Sequence, residues 1–326
     1  MTLRKLILFT LIFVLNILIF QMTVKITRRF VNRKELNVKG VYTIETSNNN
    51  DFEVPQSSPL KYFWEPKSNN YIEENVEWLD KNPVYTINSD TLNERFEYKI
   101  EKKHNIYRIL TLGDSFTYGL YVNTKENYTE LLEERLNSDL TCQDGLIFEV
   151  INLGVPGYDF AYTVDRFITR GLKYNPDLVI WLIPDYEIRK VNEFFYDDEY
   201  RNTMMKLGNI SVEKQLQIDQ EKLEEIEDKY GKVFLLDYHK KKLEAFLNIV
   251  GNKAIFYIFP SLSSEVKNLL SILNNDMGIA EITDTINNPD LHFDLDYHPN
   301  QQGHKQLAND IFQNLANNKF SDCRVR

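Results

Sequence analysis

A serine, a histidine and an aspartate brought together can do acyl chemistry: the serine oxygen attacks a carbonyl, the imidazole takes its proton, and the carboxylate orients the imidazole. Ser115 stands in Gly113-Asp114-Ser115, directly after the apolar run 107–112, where a buried strand would end in a tight turn. A serine at the carboxyl end of a strand opens onto the crevice in which open α/β sheets bind ligands. Taken alone, the triplet is equally a helix entry with Ser115 as its cap. Five histidines could supply the base. His104 precedes the first strand, His239 falls in a charged helical pattern, His304 sits inside the closing helix, and His292 has no distinctive neighbourhood. His298 lies between two carboxylates, Asp294 and Asp296, and Pro299-Asn300, in the loop before the last helix, for which Asn300 is a ready cap. A base and an orienting acid are therefore both available in one loop.

Those residues need a framework, and composition sets its limits. With 326 residues, 43% of them hydrophobic, the chain can build one large core or two modest ones. A net charge of -10 excludes a general nucleic-acid binder, which needs clustered Lys and Arg. The two cysteines, Cys142 and Cys323, are far apart and have no partners at metal-ligand spacing, so no metal or cofactor site is read. Whether they pair is left open.

The first 30 residues differ in kind. Residues 6–20 are nearly all apolar, follow Arg4 and Lys5, and extend through Met22 and Val24 to about the length that spans a bilayer. No small-x-small cleavage site follows Phe20, and the flank is Lys25, Arg28 and Arg29, so the expectation is an uncleaved single-pass membrane anchor over residues 6–24. The excess of Lys and Arg after the span favours a cytoplasmic body, but a long following domain translocates largely regardless of charge. The orientation expected is extracytoplasmic.

Residues 31–104 read as an extended, aromatic-rich arm, because Pro55, Pro59, Pro66 and Pro83 interrupt any helical period. The aromatic residues Tyr62, Phe63, Trp64, Trp78 and Tyr85 predict an ordered segment packed on the body, with shaping of a substrate entrance as a second role. From 105 to 320 strands and helices alternate, which predicts a three-layer α/β/α sandwich with a mostly parallel, flavodoxin-like sheet. Strands are expected at 107–112, 147–153, 178–183, 254–259 and, short, at 279–282. Helices are expected at 125–137, 160–174, 263–273 and 301–315. A helical insertion is expected at about 185–250, with charged patterns at 212–229 and 232–250; its aromatic and acidic stretch 193–200 is read either as surface or as a lid. Right-handed crossovers would put the turns after the first three strands on one edge of the sheet.

Three blocks in order, Gly113-Asp114-Ser115, Asn152-Leu-Gly-Val-Pro-Gly157 and Asp296-Tyr-His-Pro-Asn-Gln-Gln-Gly-His304, resemble the SGNH, or GDSL, hydrolase superfamily over about residues 105–317. The resemblance implies Ser115 as nucleophile and first oxyanion donor through its N–H, Gly157 as second donor, and His298 as base. In most relatives the orienting acid lies three residues before the histidine; that position is Leu295 here, so the role passes to Asp296, with Asp294 as the alternative. Where relatives carry Asn-Asp after the third strand this chain has Pro184-Asp185, and proline offers neither a side-chain donor nor an N–H. Loss of one such donor costs about a hundred- to a thousandfold in rate. Asn192 and Tyr186 are the nearby substitutes. The resemblance implies a cofactor-free serine esterase acting on an acylated cell-surface glycan or lipid, with acetyl as one such acyl group. Two other readings stand beside it: a weakened or inactive module that binds an acylated ligand, and an acyltransferase using the same triad. No protein partner is read.

Overall fold

The computed structural model describes residues 51–53, 64–142, 145–184, 191–207, 212–271 and 278–325. The anchor expected over 6–24, together with Asp185 and Tyr186, lies outside the described residues. Among those described, no helix is long and apolar enough to cross a membrane.

Five apolar runs form one sheet: β1 (Ile106–Leu112), β2 (Ile147–Asn152), β3 (Leu178–Ile183), β4 (Ala254–Ile258) and β5 (Gly278–Glu281). Every neighbouring pair is parallel, and the order is β2-β1-β3-β4-β5, that of flavodoxin-like sheets. All of β3 is buried, as a strand covered on both faces must be. The principal helices of the body are α1 (Tyr128–Asp139), α2 (Phe160–Arg166), α3 (Phe234–Val250), α4 (Ser264–Leu270) and α5 (Gln301–Asn318). Leu110, Leu112, Val179, Trp181 and Phe256 point to one face and pack with residues of α2, α3 and α4. Ile109, Val150, Ile180, Leu182 and Tyr257 point to the other and pack with α1 and α5. The period of two along each strand thus produces two cores and three layers.

The charged pattern at 232–250 differs from the expected insertion. As α3 it is the crossover from β3 to β4: Leu243, Phe246 and Val250 are buried, and the Phe246 ring meets Trp181 edge-on at 5.0 Å. Helix α2 is shorter than the expected 160–174, because the chain passes at Arg166 into a wider turn, Phe167–Gly171, and then a tight one, Leu172–Tyr174. Cys142 and Cys323 form a disulfide that ties the chain after α1 to the chain after α5, closing a separation of 181 residues. On the chain-entropy account, closing a loop of that size stabilises by about 5 kcal/mol.

The arm is built without a helix among its described residues. Phe52–Glu53 pairs with Glu65–Pro66, and Asn70–Glu73 with Val84–Ile87, both antiparallel. It is fastened to the body by buried charge. The Glu65 carboxylate accepts from Arg166 at 2.8 Å and from Arg170, and Arg166 also donates to the Thr91 carbonyl at 2.7 Å. Removing one partner of a buried ion pair costs about 3–5 kcal/mol, so the arm belongs to the folded unit.

His304 joins α5 to α1. Its Nδ1 accepts the Tyr128 N–H at 3.2 Å, and its ring stacks on Tyr128. Burial, with the charge of His298 adding to it, pushes His304 down to about 3. The unfolded chain therefore takes up this proton near the ordinary histidine value of 6.5 while the folded chain does not, and the histidine's contribution to stability is lost as pH falls from 6.5 towards 3. We expect wild type to lose stability relative to His304→Gln by at most about 1.4 kcal/mol per pH unit in that window, read from urea midpoints at each pH. A stability difference that does not vary with pH would contradict a neutral, buried His304.

Candidate active site

Three chain segments meet at the carboxyl edge of the sheet. At the end of β1, Gly113 has φ +154°, and a Cβ there would fall 2.2 Å from Thr117 Oγ1, so the turn requires glycine. Asp114 caps the single helical turn Ser115–Tyr118 by accepting the Phe116 N–H at 3.0 Å. Burial pushes Asp114 up to about 6. The segment after β2 presses against this turn. Asn152 Nδ2 donates to the Thr117 carbonyl at 2.8 Å, and Asn152 Oδ1 accepts the Gly154 N–H at 2.9 Å. A Cβ on Gly154 would lie 2.4 Å from Tyr118 N, so close approach accounts for this glycine.

The third segment precedes α5. Asn300 Oδ1 caps the helix by accepting from Gln302 and Gly303, while its amide donates to the His292 carbonyl at 2.8 Å. A Cβ on Gly303 would meet the Leu291 carbonyl oxygen at 2.0 Å, so the loop closes directly over the helix start. Inside this loop Asp296 Oδ1 accepts the backbone N–H of His298 at 2.8 Å, an Asx-turn, and reaches His298 Nδ1 at 2.5 Å. His298 Nε2 lies 2.7 Å from Ser115 Oγ. Burial pushes Asp296 up, but the imidazole and the two bonds from His298 outweigh it and hold the carboxyl below its usual range. An ionised Asp296 only accepts, so Nδ1 carries the proton and Nε2 is left to accept the serine O–H. Ser115, Asp296 and His298 are 8%, 4% and 6% exposed, which removes most competing water.

The structure thus brings Ser115, His298 and Asp296 into one hydrogen-bonded chain. Asp294 is exposed, unlike Asp296. Gly157 follows β2 with φ +78°. Pro184 is buried at the end of β3. Asn192 is buried near Gly157, but its Nδ2 donates to the Gly157 carbonyl at 2.8 Å and its N–H to Asp159 at 2.7 Å. Of the other histidines, His104 is exposed, His239 is buried against Phe160, and His292 Nδ1 contacts the Phe293 carbonyl at 2.7 Å. In the stretch read as a lid, Phe195 and Tyr200 are buried with Val191, Leu223 and Leu235 in a cluster of their own. Among the described residues, no group of three His, Cys, Asp or Glu side chains could hold a metal ion.

Sequence reasoning had the arm packed on the body, with shaping of a substrate entrance as a second role, but missed which of its residues support the site. The His298 ring is walled by Phe116 at 5.2 Å, Tyr121 at 5.4 Å and Tyr297 at 4.7 Å. Tyr121 is held from the arm: Trp78 meets its ring edge-on at 5.0 Å, and Tyr85 Oη accepts its N–H at 2.9 Å. Because that oxygen is accepting, the Tyr85 proton is directed to Glu74, 2.6 Å away. Trp64 lies over the second loop, its indole N–H donating to the Pro156 carbonyl at 3.2 Å. The only signal in the sequence was the aromatic richness of the arm.

No protein-family model and no curated protein matches the chain. Among solved structures it is similar to the psychrotrophic esterase EstA from a Pseudoalteromonas species, at 13% identity over 64% of this chain and 97% of that one, with a TM-score of 0.40. It is also similar to a lipase/acylhydrolase from Enterococcus faecalis, at 17% identity over 65% of this chain and 96% of that one, with a TM-score of 0.40. A two-domain esterase active on acetylated mannans gives 16% identity over 67% of this chain and 50% of that one, also with a TM-score of 0.40. Likeness at this level carries no activity across to this chain.

The Tyr85 hydroxyl gives a direct check on the arm. Tyr85→Phe leaves the Tyr121 N–H without its acceptor, and we expect a loss of about 1–3 kcal/mol in stability, measured by urea unfolding. An unchanged midpoint would show that the arm does not hold Tyr121 in place.

Proposed function

We propose that the chain is a serine ester hydrolase of the SGNH type that removes an acyl group such as acetyl from a cell-surface glycan or lipid. One observation carries the reading: the unbroken chain from Asp296 to His298 at 2.5 Å and from His298 to Ser115 at 2.7 Å. His298 Nε2 takes the proton of Ser115 as Oγ bonds to the ester carbonyl carbon, and the carbonyl oxygen becomes an oxyanion. His298 then returns the proton to the departing alcohol oxygen as the ester C–O bond breaks. Water, deprotonated by the same imidazole, attacks the acyl carbonyl carbon; as the bond to Ser115 Oγ breaks, His298 returns the proton to that oxygen and the carboxylic acid leaves. Two backbone donors, the N–H groups of Ser115 and Gly157, hold the oxyanion; Ser115 begins a helical turn, so its N–H has no intrahelical acceptor. An acceptor alcohol in place of water would make the same residues an acyltransferase.

An extracytoplasmic body fits two features. The Cys142–Cys323 disulfide belongs in an oxidising compartment, and residues 6–24 have the composition of a membrane span. Pro184 favours the second reading, a module that binds its acylated ligand and turns it over slowly or not at all, since no side chain there can share the oxyanion's charge.

A fluorophosphonate probe separates the two. We expect the purified protein to be labelled at Ser115, and Ser115→Ala to abolish both labelling and hydrolysis of p-nitrophenyl acetate without lowering the melting temperature. Asp296→Asn should lower kcat about ten-thousandfold, because the wrong tautomer of His298 would face the serine. Labelling without turnover would favour the binding module; no labelling, under conditions that label a control esterase, would sink the enzyme reading.

A further inference from the structure

Both peptide planes around Gly157 are held by side chains from outside their loop. The Gly157 N–H and the Pro156 carbonyl belong to one amide, and that carbonyl accepts the indole N–H of Trp64 at 3.2 Å. The next amide is held through the Gly157 carbonyl, which accepts from Asn192 Nδ2 at 2.8 Å. Between them Gly157 takes φ +78°, and its own N–H has no acceptor among the described residues. Gly157 is exposed, so this N–H is open to solvent and free to meet a ligand oxygen, while the loop that carries it is held in place.

Trp64 is itself well anchored. Its carbonyl accepts the Tyr158 hydroxyl, its ring meets Tyr158 at 5.6 Å and Tyr162 at 5.3 Å edge-on, and the next residue is the buried Glu65. The ring would lie 3.2 Å from a Cβ at Gly157, so it also covers that side of the glycine. Donation into an amide carbonyl draws electron density from the N–H of the same amide and strengthens it as a donor, by about 10–30% for each bond in the chain.

We propose that Trp64 and Asn192 are positioning residues for the oxyanion. They fix the Gly157 amide, and Trp64 polarises it, so that its N–H carries charge which Pro184 leaves without a side-chain donor. The inference rests on the serine-hydrolase reading above. A donor stabilises an oxyanion only when it is already aimed at it, so the orientation of the Gly157 N–H bears directly on the rate.

The test removes one hydrogen. Trp64 replaced by 3-benzothienylalanine keeps the ring's shape and loses the indole N–H; Trp64→Phe is the genetically encoded version. For p-nitrophenyl acetate we expect kcat to fall about fivefold to tenfold with KM within about twofold, the size of one lost hydrogen bond expressed in the transition state. Affinity for a phenylboronic acid, which forms an anionic tetrahedral adduct on serine, should fall by the same factor, with the melting temperature unchanged. Asn192→Ala should act in the same direction. Full kcat and full boronate affinity in the benzothienyl variant would overturn the inference, as would a loss confined to KM or to melting temperature. Wild type that neither labels with fluorophosphonate nor hydrolyses the ester would remove the serine-hydrolase reading and this inference with it. Labelled, active wild type beside an unaffected variant would remove this inference alone.

Discussion

The contact on which the rest depends is the 2.7 Å hydrogen bond between His298 Nε2 and Ser115 Oγ, whose residues are 183 positions apart. No local structure can hold such a bond. It exists because β1 lies between β2 and β3 in a parallel sheet, so that the turn after it opens on the same edge as the turns after those two strands. The His298 loop reaches that edge from the other side, through the start of α5, and α5 is packed beside α1 on one face of the sheet. Each layer of the fold therefore fixes one coordinate of the contact. Sheet order sets the serine, the α5 cap sets the histidine, and the Asx-turn of Asp296 sets the ring's rotation.

Much of this was legible in residue types. Leu178–Ile183 could be read as a buried strand because six apolar residues stand in succession, and the structure has it at those bounds. Gly113-Asp114-Ser115 and Asn300 carried the turn and the cap in their chemistry. Helix α3 was harder, because Lys and Glu on its exposed face masked the apolar stripe that reaches Trp181, and a solvated insertion looked the same. The packing of Trp64 and Tyr85 on the body could be read from the arm's aromatic residues, but their particular partners, and the place of Glu74, could not. Tyr85 and Trp64 contact Tyr121 and Pro156, 36 and 92 positions away, and neither periodicity nor turn chemistry reports a contact between distant loops.

The arm solves a problem that the sheet leaves open. A strand edge presents loops, and loops are the parts of a fold least fixed by hydrogen-bonded ladders. Here the arm's Glu94 accepts the Asn152 N–H at 2.5 Å at the end of β2, Trp64 holds the loop beyond it, and Tyr85 holds Tyr121 after the serine turn. The Glu65 pair with Arg166 then ties the arm to α2. Two of the three loops that form the site are thus held between the sheet and the arm, and Trp78 reaches the third by meeting Phe293 edge-on at 5.4 Å.

Charge gives a reason for this rigidity. Asp296, Asp114 and Glu74 all feel the charge of His298, and each is stabilised in its ionised form by it. Burial pushes Asp114 to about 6 and Glu74 upward as well, yet Asp114 stays mostly ionised at neutral pH. In the proposed reaction Ser115 gives its proton to His298, and the Asp296 carboxylate, 2.5 Å from Nδ1, faces the positive charge that forms. The negative charges of Asp296 and Asp114 oppose an oxyanion on the substrate, and the buried site has little water to screen them. Stabilisation of the oxyanion must therefore come from N–H dipoles already aimed at it, since donors that had to reorient would lose most of their advantage. On the proposed function, where the Ser115 and Gly157 amides hold the oxyanion and Pro184 contributes no donor, the arm that fixes the loop of Gly157 through Trp64 becomes part of the catalytic problem.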